Sequence, residues 1–241
     1  MKGLKAILPM LLAGNLYGLS GNDILIGVDS VMNAPKDRKT LMKMMLIDGK
    51  GNERVRTAES YQKGRDKRLI KFITPADQKG VSFLALPNDV MYVYFPAFRS
   101  VRRVASHIKY QEFAGTDLTY NDLGSFGYSK DYNAEIVGED DVSYILKLTP
   151  KPGTDKPYSY LKMWVDKKTF LPQKVEHYDK SGSLWKVMRI EGVKNIKGYN
   201  IPYKISVENV KKKHKTIMEF ENMEVDVGLS DDIFTVSYMR R

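Results

Sequence analysis

The chain has 241 residues, 42% of them hydrophobic and 28% charged, with a formal charge of +10 and no cysteine. That length supplies one sizeable core, and that apolar share excludes a disordered chain. Without cysteine there is no disulfide framework and no lipid-modified cysteine at a processed N-terminus.

The segment 1–21 places Lys2 and Lys5 before an apolar run from Ala6 to Leu12, followed at the end by the small residues Gly18, Ser20 and Gly21. This order predicts a secretory leader over residues 1–20, cut near Ser20; Pro9, Gly14 and Asn15 interrupt it too often for a membrane span. Residues 21–241 then form one domain outside the cytoplasm. Loss of Lys2 and Lys5, with no acidic residue in the leader, takes the formal charge from +10 to +8. No later run reaches the roughly 18 apolar residues of a membrane helix. Genomic DNA and most RNA lie in another compartment, so nucleic acid is not the expected partner.

After the leader, Ile24, Val28, Val31 and Met32 recur at helical spacing and predict a helix over 22–34, with Asp23 as N-cap and Pro35 closing it. From Thr40 the period becomes two, with Met42, Met44 and Leu46 on one strand face; the turn Asp48-Gly49-Lys50-Gly51-Asn52 leads back through Arg54 to Tyr61. Short strands are predicted at 68–74, 81–86, 90–95, 131–137, 143–148, 160–166, 173–179, 184–193, 201–210 and 216–225, separated by turn residues such as Gly80, Pro87-Asn88-Asp89 and Ser181-Gly182. Short helical pieces are predicted near 120–123 and 230–233. The fold class is mainly β, a large antiparallel meander, closed or half-closed.

Alternation sets Leu161, Met163 and Val165 against Tyr160, Lys162 and Asp166, and Tyr203, Ile205 and Val207 against Lys204, Ser206 and Glu208. One face is therefore apolar and the other wet. So few helices can only partly cover a sheet of this size. Either it curls onto itself or it leaves an interior open for a ligand.

Catalytic signals are weak. His107, His177 and His214 have no metal-ligand spacing, and nucleophile elbows, Walker loops and dinucleotide fingerprints are missing. Glu139-Asp140-Asp141 reads as a hairpin turn, and Asp117 with Asp122 suits capping and turn positions as well as an acid/base pair. The expectation is a protein that is not an enzyme, with no cofactor and no metal. Lys211-Lys212-Lys213-His214-Lys215 reads as a solvated hairpin tip that protects a sheet edge. The 12 methionines and 15 tyrosines point to a deformable apolar lining, with an ordinary core as the alternative for any one of them.

Several stretches together are similar to the LolA-like family of outer-membrane lipoprotein-sorting proteins. They are "YVYFPAFRSVRRVA" at 92–105, "FAGTDLTYNDL" at 113–123, "WVDKKTFLPQKVEHYDKSGSL" at 164–184, Asn200-Ile201-Pro202, and "DDIFTVSYMRR" at 231–241. The resemblance implies an unclosed, half-open barrel with a few lid helices around a hydrophobic cavity for acyl chains. With it, Met42, Met44, Leu46, Phe72, Phe83, Tyr92, Tyr94, Leu161 and Met163 become the expected cavity lining. Arg99, Arg102 and Arg103, after the strand-ending Pro96, become the expected headgroup or partner contact. The implied role is a soluble periplasmic carrier of lipoprotein acyl chains or lipid, a monomer with transient membrane-surface contact. The chain is longer than the archetypal carrier and fits a branch that accompanies inner-membrane RND-type exporters, with an outer-membrane acceptor as the other partner. Two rival readings stay open: a lipid- or polysaccharide-modifying enzyme, and an adaptor or structural subunit of an envelope complex.

Overall fold

The first strand, β1 (Asp37–Ile47), lies in the middle of the sheet and not at its edge. From it the chain steps outward through β2 (Glu53–Lys63), β3 (Lys67–Thr74), β4 (Ser82–Leu86) and β5 (Val90–Phe95) to the edge strand β6 (Ser100–Arg103). Residues 104–131 then cross to the opposite edge, carrying the short helix α2 (Tyr120–Gly124). The return begins with β7 (Tyr132–Glu139), β8 (Ser143–Pro150), β9 (Tyr158–Asp166) and β10 (Pro172–Asp179). It continues through β11 (Leu184–Ile196) and β12 (Tyr199–Asn209) to β13 (His214–Val225), which pairs antiparallel with β1.

The computed structural model describes residues 18–125 and 127–241, so most of the leader expected at residues 1–20 lies outside the described residues. Among the described residues thirteen strands form one antiparallel sheet whose ends, β6 and β7, do not pair with each other. The barrel is unclosed, as the family resemblance implied. Every neighbouring pair of strands is a hairpin except β1 with β13, where the two halves of the meander meet.

Alternation dictates which face is buried. Along β1, Thr40, Met42, Met44 and Leu46 are buried and the residues between them are not. Helix α1 (Gly21–Met32) lies on this concave side and packs Ile24, Leu25 and Val28 against Tyr132, Leu146, Leu148 and Leu161. Its N-cap is Ser20 and not Asp23: Asp23 N donates to Ser20 Oγ at 3.2 Å, while Ser20 N and Oγ donate to the Asp23 carboxylate at 3.0 and 2.6 Å. Asp23 is thus the third helical residue of a capping box, a device worth about 1 kcal/mol. Gly21 is required because a Cβ there would stand 2.5 Å from Ala134 O on β7.

The tail covers the convex face. Asp37 accepts from the backbone N–H groups of Val227, Gly228 and Leu229 at 2.8, 2.9 and 3.1 Å, which turns the chain after β13. The 3-10 turn Asp231–Phe234 and helix α3 (Val236–Met239) then bury Phe234 and Met239 against Tyr61, Leu69 and Leu84.

Candidate ligand cavity

The site begins with one rung of the sheet. Arg38 on β1 is the register partner of Gln62 on β2, and Gln62 is the partner of Arg68 on β3. Cross-strand partners share a face, so three polar side chains stand side by side on the concave side. Gln62 Oε1 accepts from Arg38 Nε at 3.1 Å and Nη2 at 2.6 Å, and from Arg68 Nη2 at 2.9 Å. Arg68 Nη1 also donates to Leu123 O of α2 at 2.5 Å. Burial lowers Arg38 to about 10, and burial with the neighbouring Arg38 charge lowers Arg68 to about 9. Both stay protonated at neutral pH.

These residues line a cavity of about 230 Å³ between the concave face, the end of α1 and the crossing segment 104–131. Its apolar wall comes from Met42, Ile70, Leu161, Met188, Ile205, Met218 and Phe220, and α2 contributes Leu123. On the β9 and β10 side, Tyr158 and His177 face each other with ring centroids 4.8 Å apart. The Tyr158 hydroxyl and His177 Nδ1 are buried and have no hydrogen-bond partner among the described residues. Burial pushes His177 down to about 4, so it is neutral at pH 7, and pushes the Tyr158 hydroxyl well up. Lys156 reaches the same wall but is neutralised by Asp131 at 2.5 Å.

The acidic groups at the cavity are committed elsewhere. The Asp29 carboxylate accepts from Tyr128 N at 2.7 Å and from Ser129 N and Oγ at 2.8 and 2.6 Å. Asp122 closes a capping box by accepting from Thr119 N at 2.8 Å. Asp117, proposed as its acid/base partner, is buried; it accepts from Thr216 Oγ1 at 2.8 Å and lies 2.7 Å from His214 Nδ1, while its backbone carbonyl accepts from Lys186. These bonds tie the crossing segment to β11 and β13. Asp117 and Asp122 therefore hold different pieces of scaffold and do not form a pair. Among the described residues no group of three or more His, Asp or Glu side chains could hold a metal ion.

Of the residues expected to line the interior, Met42 and Leu161 stand on the cavity wall. Met44, Leu46, Phe72 and Phe83 share the concave face but are packed solid, because Phe113 from the crossing segment fills that end: its ring is 5.9 Å from Phe72 and 5.7 Å from Phe83. Met163 is likewise fully buried, in the cluster under α1. Tyr92 and Tyr94 lie on the opposite face. In β5 it is Met91 and Val93 that point to the concave side, while the two tyrosines pack with Leu84 and the C-terminal turn. Arg99, Arg102 and Arg103 are exposed at the β6 edge, away from the cavity wall. Arg38, Gln62, Arg68, Tyr158 and His177 were not singled out as site residues by the sequence; their signal is polar character at an inward position of a period-two strand.

Comparison with known proteins places this geometry. A family model described as an uncharacterized protein matches residues 64–241. No curated protein matches the chain. A crystal structure of a DUF1329 family protein from Desulfovibrio piger is 31% identical, with a TM-score of 0.86 over 91% of this chain and 97% of that one. A domain from Vibrio parahaemolyticus assigned as an outer membrane lipoprotein-sorting protein is 25% identical, with a TM-score of 0.82 over 92% of this chain and 98% of that one. A LolA superfamily protein from Nitrosomonas europaea is 22% identical and shares the fold, with a TM-score of 0.77 over 92% of this chain and all of that one. The long match to the Desulfovibrio protein and the shared unclosed sheet lead to one assignment: the chain belongs to the DUF1329 family and has the LolA-like fold.

Proposed function

We propose that the protein is a soluble periplasmic carrier that shields an acyl chain of a lipoprotein or lipid in the half-barrel cavity and moves it across the cell envelope. The observation that carries this reading is the apolar-walled cavity of about 230 Å³ on the concave face, at a place where a sheet of this kind would otherwise be filled by side chains. The sorting role assigned to the Vibrio relative supports the same direction. Leader removal, a monomeric state, and exchange with an inner-membrane RND-type exporter and an outer-membrane acceptor belong to this proposal.

Membrane contact fits the β5–β6 rim. There Phe98 is 73% exposed beside the exposed Arg99, Arg102 and Arg103, an apolar tip ringed by cations that suits an anionic surface. Among the described residues no helix is long and apolar enough to cross a membrane. Transfer of a pyrene-labelled acyl lipid between donor and acceptor vesicles tests the reading. Acceleration that grows with protein concentration is expected; a rate equal to spontaneous exchange contradicts it.

A further inference from the structure

We propose that the cavity selects a single-chain amphiphile with an anionic oxygen head, a carboxylate or phosphate ester, the head lying against Arg38 beside Gln62 and the tail running over Met42, Met218 and Phe220. This names the ligand class of the carrier site and rests on that reading.

Charge gives the first reason. Arg38 and Arg68 both donate to one neutral acceptor, Gln62 Oε1, and among the described residues no carboxylate lies within salt-bridge distance of Arg38. Arg38, drawn out of water, loses hydration and is repelled by the neighbouring Arg68, and the amide oxygen that is its acceptor offsets neither effect. An anion in the cavity would answer both, with the planar guanidinium geometry that suits carboxylate and phosphate. The nearby acids do not fill this role, since Asp29 and Asp122 are taken up by backbone N–H groups. Lys156 already has Asp131, so the charge left for an anion to answer is that of Arg38.

A second, independent reason lies across the cavity. The Tyr158 hydroxyl, in a residue 3% exposed, and His177 Nδ1, in a residue 9% exposed, line the same space without a partner. Buried polar groups of this kind are rare in a finished interior and mark a place where a ligand oxygen or water completes the bonding. A ligand with a polar head is therefore a better match than a bare hydrocarbon.

Size sets the chain number. At the roughly 10–15 Å³ of such space that one water needs, 230 Å³ has room for about 15 to 23 non-hydrogen atoms. One short chain, or the head and first carbons of a longer one emerging at the rim, fits this space. Two or three long chains side by side do not.

Isothermal titration calorimetry of the purified protein with decanoate, decyl phosphate and decanol holds the tail constant and varies the head. The anionic ligands are expected to bind one to one and at least about tenfold more tightly than decanol, and the tighter of the two identifies the head as carboxylate or phosphate. Arg38→Gln keeps a hydrogen-bond donor for Gln62 and removes the charge, so it should erase the preference, bringing decanoate and decyl phosphate to within about twofold of decanol in the same variant. Gln62→Glu, which supplies the anion internally, should do the same, and it carries the test if Arg38→Gln does not fold. Equal affinity for decanol and decanoate in the unaltered protein would overturn the head site and leave the carrier reading standing. Binding of none of the three would overturn both. Displacement of decanoate by an intact diacyl phosphatidylglycerol at one to one would overturn the single-chain limit.

Discussion

The two ends of the concave face share strands β1 and β3 and are finished differently. At one end Met44, Phe72 and Phe83 meet Phe113 and Tyr120 from the crossing segment, and the space is filled by rings packed stacked, tilted and edge-on. Where Arg38, Gln62, Tyr158, His177, Met188 and Ile205 face inward, the cavity remains. Strand alternation thus decides which side is inward, while a distant segment decides whether the inside is full.

The sharpest way to break this contrast is truncation. Phe113→Ala at the packed end should destabilise by about 3–5 kcal/mol, since the vacated volume has no way to collapse, whereas Met218→Ala on the cavity wall should lose less than about 2 kcal/mol. Urea unfolding of both variants measures the difference, and equal losses would mean that the two ends are packed alike.

Protonation gives the next effect. The folded-state value of His177, about 4, lies below the ordinary 6.5, so the unfolded chain takes up a proton that the folded chain refuses. Stability contributed by keeping His177 neutral is whole above pH 6.5 and is lost as pH falls toward 4. At 1.36 kcal/mol per unit the loss is roughly 3 kcal/mol. His177→Gln should flatten the profile across that window, and an unchanged slope would assign the acid sensitivity to other groups.

Enlargement separates the ends by sign. Met44→Trp at the packed end should overpack and cost about 1–3 kcal/mol, while Met188→Trp should change stability little and reduce ligand capacity by filling the hollow. Thermal melts with decanoate titrations read both quantities. The smallest effect on stability belongs to the rim: replacing Arg99, Arg102 and Arg103 together by Gln should stay within about 0.5 kcal/mol per site. The same triple variant should bind anionic vesicles more weakly, with the gap closing as salt screens the charges.

The fold was legible because its strands carry period-two patterns punctuated by turn residues; β5 was placed at 90–95, where it lies, and α2 within a residue of its end. Helix α3 was missed since four residues show no helical period. That omission explains Tyr92 and Tyr94. With the C-terminal turn lying on the convex side, both faces of β5 become apolar, and alternation alone no longer tells inside from outside. Met44 was put on the right face, but its filling depends on Phe113, which is remote in sequence. Of the rung, Arg68 opened an expected strand, while Arg38 and Gln62 lay just beyond the strand ends read at Thr40 and Tyr61. Only the register of β1 with β2 and β2 with β3 brings them together.

Native mass spectrometry of the protein isolated from its own cell envelope, compared with the Met188→Trp variant prepared identically, tests the carrier assignment most directly. The account predicts an added mass of one single-chain amphiphile on the unaltered protein, released by organic solvent and depleted in the variant. Protein of bare polypeptide mass in repeated preparations, with no uptake of decanoate afterwards, would contradict it.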